Sequence, residues 1–181
     1  MYVASVTDSE HRITLEVLVD VTNAVTDDDF DLRALLSEAG FSRAPDASAA
    51  SVDRVTQRFV ALAPFFASLP DLSTDEASAR VTEELTELPI TPSIVAHDGT
   101  APHMHWTPST ALFDDQVMAD VIMALAQEVC DNGTIRFGTC AADGCGHLFY
   151  DATRNRSKRF CSDSRCASRT HTADHRARRR A

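Results

Sequence analysis

Along the first two-thirds of the chain, apolar residues recur mainly at helical spacing. In residues 13–25, Leu15, Leu18, Val19, Val21, Thr22 and Val25 form an apolar set, with Asp20 and Asn23 on its polar side. The set alternates enough to pass for a strand, and the three-to-four spacing favours a helix. Asp27, Asp28 and Asp29 offer N-caps for a second helix over 30–39, with Phe30, Leu32, Leu35 and Leu36 inward and Gly40 as a left-handed stop. After a small-residue linker over 42–50, Val52, Val55, Phe59, Leu62, Phe66 and Leu69 predict a longer helix over 52–69. Pro64 lies inside it and predicts a kink or a break. Ser73 and Glu76 have the spacing of a capping box for a helix reaching Leu88, and Asp75 adds favourable charge to its first turn.

The pattern then changes. Ile94 and Val95, the turn pair Asp98-Gly99, and His103, Met104, His105 and Trp106 predict a β-hairpin near 93–107. His103 and His105 share one face of their strand, and His97 can sit across from them. Three histidines on a sheet face can bind a metal or move protons; a plain polar face is the simpler account, because spacing identifies no carboxylate to orient them. No nucleophile elbow, Gly-rich phosphate loop or H-E-x-x-H motif occurs. The chain is therefore expected not to be an enzyme. Over 109–131, Leu112, Phe113, Val117, Val121, Leu125 and Val129, widened by Met118, Ile122 and Met123, predict the strongest helix of the chain, ended by Asn132-Gly133. Cys130 in its last turn is expected to be a buried small hydrophobe.

Charge divides the chain where the helical pattern ends. Residues 136–181 hold eleven Arg/Lys against four Asp, a net +7, whereas residues 1–135 hold six basic and 23 acidic residues, a net −17. An acidic body joined to a basic module suggests a nucleic-acid-facing tail. Sixteen of the seventeen basic residues are Arg, and that bias weakens any argument from Arg over Lys. No stretch approaches the roughly 20 apolar residues of a membrane span, and the first residues lack the basic-then-apolar pattern of a secretory signal. A cytoplasmic protein without membrane contact is expected, in a reducing compartment that favours metal-bound thiolates over disulfides.

The basic module carries Cys140, Cys145, Cys161 and Cys166, two C-x4-C pairs separated by fifteen residues. Two thiolate pairs close a tetrahedral zinc site, so one structural Zn2+ is the expected cofactor. His147, or the pair His171 and His175, offers alternative ligand sets, and two disulfides or an iron–sulfur cluster are further alternatives; the four cysteines are preferred. Leu148, Phe149 and Tyr150 predict a short strand, 151–157 a turn, and 158–160 the returning side of a hairpin that leads to Cys161 ahead of a basic helix, a treble-clef-like order. A core of Leu148, Phe149 and Phe160 is too small to fold without metal. The short connection from Gly133 to Cys140 predicts a module docked on the preceding helix.

Arg165, Arg169, Arg176 and Arg180 fall on one helical stripe, joined by Arg179; Arg154, Asn155, Arg156, Lys158 and Arg159 sit on the expected hairpin before it. These residues are the candidates for nucleic-acid contact, DNA ahead of RNA. For RNA, Phe149 or Tyr150 would stack on a base if exposed. The rival is an adaptor, associated with RNA polymerase or the ribosome, in which zinc only builds a docking surface. The body would sense a ligand, bind a partner such as the transcription machinery, or form a homodimer.

The stretch from Cys140 to Arg180 resembles the CGNR-type zinc finger of bacterial proteins through its C-x4-C, F-Y-D, R-N-R-S, basic-aromatic-Cys and H-R-A-R-R-R features. The acidic helices, the His-containing hairpin and the V-M-A-D-V helix (Val117 to Val121) resemble the ABATE domain that precedes that finger. The resemblance implies a stress-induced transcriptional regulator that binds zinc and DNA. One departure is plain: the family's C-G-N-R is Cys166-Ala167-Ser168-Arg169 here. The fold class expected from all of this is mostly α with a small β-hairpin, an N-terminal helical domain over 1–135 followed by a treble-clef-like four-cysteine zinc finger over 136–181.

Overall fold

A computed structural model describes residues 6–25, 27–96 and 102–179. Six α-helices and two short hairpins make up the described chain. His97, the Asp98-Gly99 turn and Arg180 lie outside the described residues.

The first helix, α1 (Val6–Ala24), buries Leu15, Val17, Leu18, Val19 and Val21. Helix α2 (Leu32–Glu38) starts two residues later than the apolar pattern suggested. Its N-cap is Asp31, whose Oδ1 accepts from the Ala34 N–H at 3.0 Å, rather than the three aspartates before it. The Ala47 N–H donates to the Ala44 carbonyl, and Ser48 then caps α3 (Ala49–Ser68). Pro64 neither breaks nor ends that helix. The carbonyl it deprives of a partner belongs to Val60, and both residues lie on the exposed face, so water can take the place of the missing N–H. A 3-10 turn (Leu69–Asp71) leads to α4 (Thr74–Thr86), where the capping box of Ser73 and Glu76 is present in both directions.

Strands β1 (Ser93–Val95) and β2 (His103–His105) pair antiparallel with Ile94 opposite Met104. The last body helix, α5 (Phe113–Asn132), begins four residues after the pattern proposed. The Ala111 N–H donates to the Pro108 carbonyl in a turn that holds 109–112 out of the helix, and Leu112 is exposed. Helix α5 packs against α1, α3 and α4 and buries Val117, Met118, Val121, Ile122, Leu125 and Val129, each contributing about 1.5–3 kcal/mol. Arg54 and Arg58 from α3 pair with Asp114 and Asp115 in its first turn at 2.9 and 2.8 Å. Gly133 ends it at φ +64, where a Cβ would meet Thr74 Oγ1 at 2.5 Å. Cys130 is exposed, contrary to expectation, because it falls on the side of the helix away from the core.

The second hairpin pairs β3 (Phe137–Thr139) with β4 (Leu148–Tyr150). The expected partner of 148–150 was 158–160; β3 takes that edge instead, because Gly138 opposite Phe149 leaves room for the ring to lie on its backbone. Phe137, Leu148 and Tyr150 join the main core, so the hairpin is packed into the body. Asn23 of α1 acts as a side-chain strand partner: its Nδ2 donates to the Leu148 carbonyl at 2.9 Å and its Oδ1 accepts from the Leu148 N–H at 2.8 Å. The Tyr150 hydroxyl donates to buried Glu128 Oε2 at 3.0 Å, and His11 Nε2 lies 3.5 Å from the same oxygen. Arg136 Nε stands 3.8 Å from Glu128 Oε1. The chain closes with α6 (Ser164–Arg178).

Candidate metal centre

The β3–β4 hairpin carries the first cysteine pair in its connection. Cys140 follows β3 directly and its N–H donates to the His147 carbonyl at 2.8 Å. The chain then tightens, with the Cys145 N–H on the Ala142 carbonyl at 3.0 Å and Gly144 at φ +71, a conformation that suits glycine. The second pair is set by α6. Cys161 precedes the helix and takes a hydrogen bond from the Asp163 backbone, and Cys166 lies in the first turn, its own N–H on the Asp163 carbonyl at 3.0 Å. The Ala141 N–H on the Arg159 carbonyl at 2.9 Å ties the two halves together.

All four Sγ atoms lie within 4.8 Å of one another. Cys145 and Cys161 are 3.9 Å apart, Cys161 and Cys166 3.8 Å. Sulfurs at about 2.3 Å from a tetrahedral zinc are separated by about 3.8 Å, whereas a disulfide needs about 2.05 Å. The spacing fits one ion and not two disulfides. Proton chemistry agrees. Burial opposes ionisation of Cys140, but N–H groups of Cys161 and Ala142 and the neighbouring thiols outweigh it and bring that thiol down to about 7. Burial and the adjacent sulfurs push Cys161 up to about 12, and burial also raises Cys166. Four sulfurs this close cannot all ionise without a cation among them, and zinc supplies that charge. Arg169 Nη2 approaches Cys166 Sγ at 3.5 Å and adds a positive neighbour to the cluster.

No histidine enters the cluster. His147 is exposed, His171 meets the Phe160 ring edge-on at 5.8 Å, and His175 is exposed near the end of α6. In the body, His103 and His105 bring their Nε2 atoms within 3.1 Å, and no third ligand-type side chain joins them among the described residues. The four cysteines form the one such group there.

The basic candidates separate by what they already hold. Arg165 is paired to Asp163 through Nε and Nη2 at 2.9 Å, and Arg169 faces Cys166. Lys158 Nζ donates to the Tyr150 carbonyl at 3.1 Å above the Phe149 ring, and the Arg159 guanidinium lies 5.7 Å from the Phe160 ring. Arg154, Asn155, Arg156, Arg176 and Arg179 are exposed, and the four arginines have no ion-pair partner among the described residues. Arg156 adopts φ +49, in the left-handed region, with its N–H on the Thr153 carbonyl at 3.3 Å. Phe149 and Tyr150 are both buried, so neither can stack on a base.

Asp151, the last residue of the F-Y-D feature, had no role in the sequence pattern, yet it shapes this loop. It is buried, and its two carboxylate oxygens accept from the Thr153 and Lys158 N–H groups, each at 2.8 Å. Burial alone would raise its pKa; the hydrogen bonds from Thr153 and Lys158 and the charge of Arg136 win, and the carboxyl is held below the ordinary range. Arg136 Nη1 grips the Asp151 carbonyl at 2.8 Å. An Asp followed two residues later by Thr was the available signal, an Asx-turn spacing that is common in loops of every kind.

No curated protein matches the chain. Residues 136–179 match the family model of the CGNR zinc finger. That range takes in both strands of the second hairpin, all four cysteines, the loop organised by Asp151 and nearly all of α6. The C-terminal module of this chain is a CGNR zinc finger with one four-cysteine site of the kind that holds a single structural zinc.

Proposed function

We propose that the protein is a zinc-dependent transcriptional regulator that binds duplex DNA through the phosphate backbone, using its C-terminal module. The observation that carries this reading is the placement of two sets of arginines without ion-pair partners among the described residues, Arg154 and Arg156 on the loop, Arg176 on α6 and Arg179 just after it, outside one compact cysteine centre. A module of net +7 from its side chains, about +5 once four thiolates hold one divalent ion, beside a body of net −17 concentrates the cationic surface there. Buried Phe149 and Tyr150 favour a duplex over a single strand that needs stacking platforms. The protein acts by binding, without catalysis, and works in the cytoplasm; no helix among the described residues is long and apolar enough to cross a membrane.

The body serves as the sensing or partner-binding part. Its contacts with the module run through Asn23 and through Glu128, which the Tyr150 hydroxyl and His11 both approach. The test is a titration of zinc-loaded chain with random-sequence duplex DNA over a salt series. Four to six phosphate contacts give a log–log slope of about −4 to −5. A flat salt dependence, or no binding at low salt, rejects the reading. The second outcome supports the adaptor reading, which has an observation of its own: Ala167 and Ser168 replace the family's Gly and Asn, and Arg165 and Arg169 are engaged within the module.

A further inference from the structure

The body contains a cavity of about 630 Å³ between α1, the segment after α2, β2 and α5. Trp106, Phe41, Met104 and Met123 give it an aromatic and thioether lining, and half-buried Asp120 on α5 adds a carboxylate. Glu10 and Asp131 add two more carboxylates, and among the described residues that line the cavity there is neither Lys nor Arg. An anionic ligand would meet three carboxylates and no lysine or arginine among those residues.

Asp120 is the decisive group. No described residue gives it a hydrogen bond, and burial pushes its carboxyl up to about 7. An ionised carboxylate in such a place is costly until a charged donor reaches it. His11, His103 and His105 line the same cavity but, among the described residues, do not gather with Asp120 around one ion, and the aromatic and thioether lining suits an organic cation. Aromatic faces and methionine sulfur also attract an organic cation and its apolar body.

The geometry points to this cavity as the binding site for a small organic amine with an aromatic or apolar body, its ammonium at Asp120 and its body against Trp106. The volume falls in the range of small-molecule sites. The site deepens the sensing role proposed for the body and rests on that role only for its consequence, since amine binding itself needs no DNA.

Trp106 is the single tryptophan of the chain, so its emission reports occupancy directly. Zinc-loaded full-length protein is titrated at fixed ionic strength with phenethylamine and, separately, with 3-phenylpropionate, which offers a similar ring and reach with opposite charge. The expected result is a saturable change with the amine at a Kd of about 1 mM or tighter, and about tenfold weaker binding of the carboxylate. Asp120→Asn weakens the amine about tenfold while zinc content stays the same. Equal binding of the two compounds, amine binding unchanged in Asp120→Asn, or no saturable response to the amine overturns the proposal. The comparison in the unaltered protein needs no variant to fold, and with no nucleic acid present its failure is separate from failure of DNA binding.

Discussion

The body and the cysteine module reach stability by opposite routes. Helix α5 is held by a continuous apolar core in which Phe59, Phe66, Leu15, Leu18, Ile122 and Leu125 are fully buried. The module's own cluster consists of Cys140, Ala142, Cys161 and Cys166, with Cys145 and Phe160 alongside. Such a cluster buries too little apolar area to offset the ordering of the loops around it, and the metal must make up the difference. The two regions also treat a withdrawn carboxylate differently. Asp120 in the body has no donor among the described residues and is pushed toward its neutral form; Asp151 in the module accepts two backbone N–H groups, and its carboxyl is held below the ordinary range. A carboxylate with satisfied hydrogen bonds is part of the scaffold, whereas one without a donor at a cavity wall is available to a ligand.

The sharpest way to break the comparison is to remove the metal. Chelation, or Cys161→Ser, is expected to unfold residues 140–147 and 151–178 while the body, with β3 and β4 packed into its core, stays folded. Structural zinc contributes on the order of 10 kcal/mol in small modules, against a body whose core does not include the cysteines. Circular dichroism should show the loss of one helix of six, with cooperative melting of the rest. Loss of all helical signal would show that the body depends on zinc. Zinc affinity should also fall with falling pH as protons compete with the ion for the four sulfurs, more steeply below about 7, where Cys140 takes up its proton.

The junction comes next in size. Asn23→Ala removes both hydrogen bonds to Leu148 and leaves that N–H and carbonyl without partners at the edge of β4. A cost of about 1–3 kcal/mol is expected in thermal unfolding of the zinc-loaded chain, along with faster hydrogen exchange at Leu148. An unchanged exchange rate would mean that the hairpin holds its place without α1.

The smallest expected effect separates the two aspartates. The folded-state pKa of Asp120 is raised above its ordinary value, so the folded chain binds the proton more tightly and stability falls as pH rises from about 4 to 7. Asp120→Asn should therefore raise Tm by more at pH 8 than at pH 5. The Asp151 carboxyl is lowered, so its contribution has the opposite sign: present above its ordinary pKa and lost as pH falls through the folded value. An Asp120→Asn gain that does not grow with pH contradicts the environment described for the cavity.

Much of this architecture was legible in the chain. The helical spacing of Val55, Phe59, Leu62 and Phe66 and the capping box at Ser73 correspond to α3 and α4, because local periodicity and local caps need no distant partner. The spacing of the four cysteines likewise narrows the chemistry by itself. What stayed hidden depends on long-range pairing. Strand β3 is three residues long with glycine at its centre, too short to show a pattern. Asn23 and Glu128 look like ordinary polar helix positions until β4 is placed beside them, 125 residues away from Asn23 and 22 from Glu128. Arg165 and Arg169 share a stripe with Arg176, and only the fold shows that they face Asp163 and Cys166.

The central claim is that the arginines projecting from the cysteine centre contact DNA phosphates. The most direct measurement compares salt slopes for duplex binding between the zinc-loaded chain and its Arg154→Ala/Arg176→Ala variant, with zinc content checked in both. The account predicts that the slope magnitude drops by about 2, one for each lost phosphate contact, with affinity weakened alike on every sequence. An unchanged slope with zinc retained would contradict it.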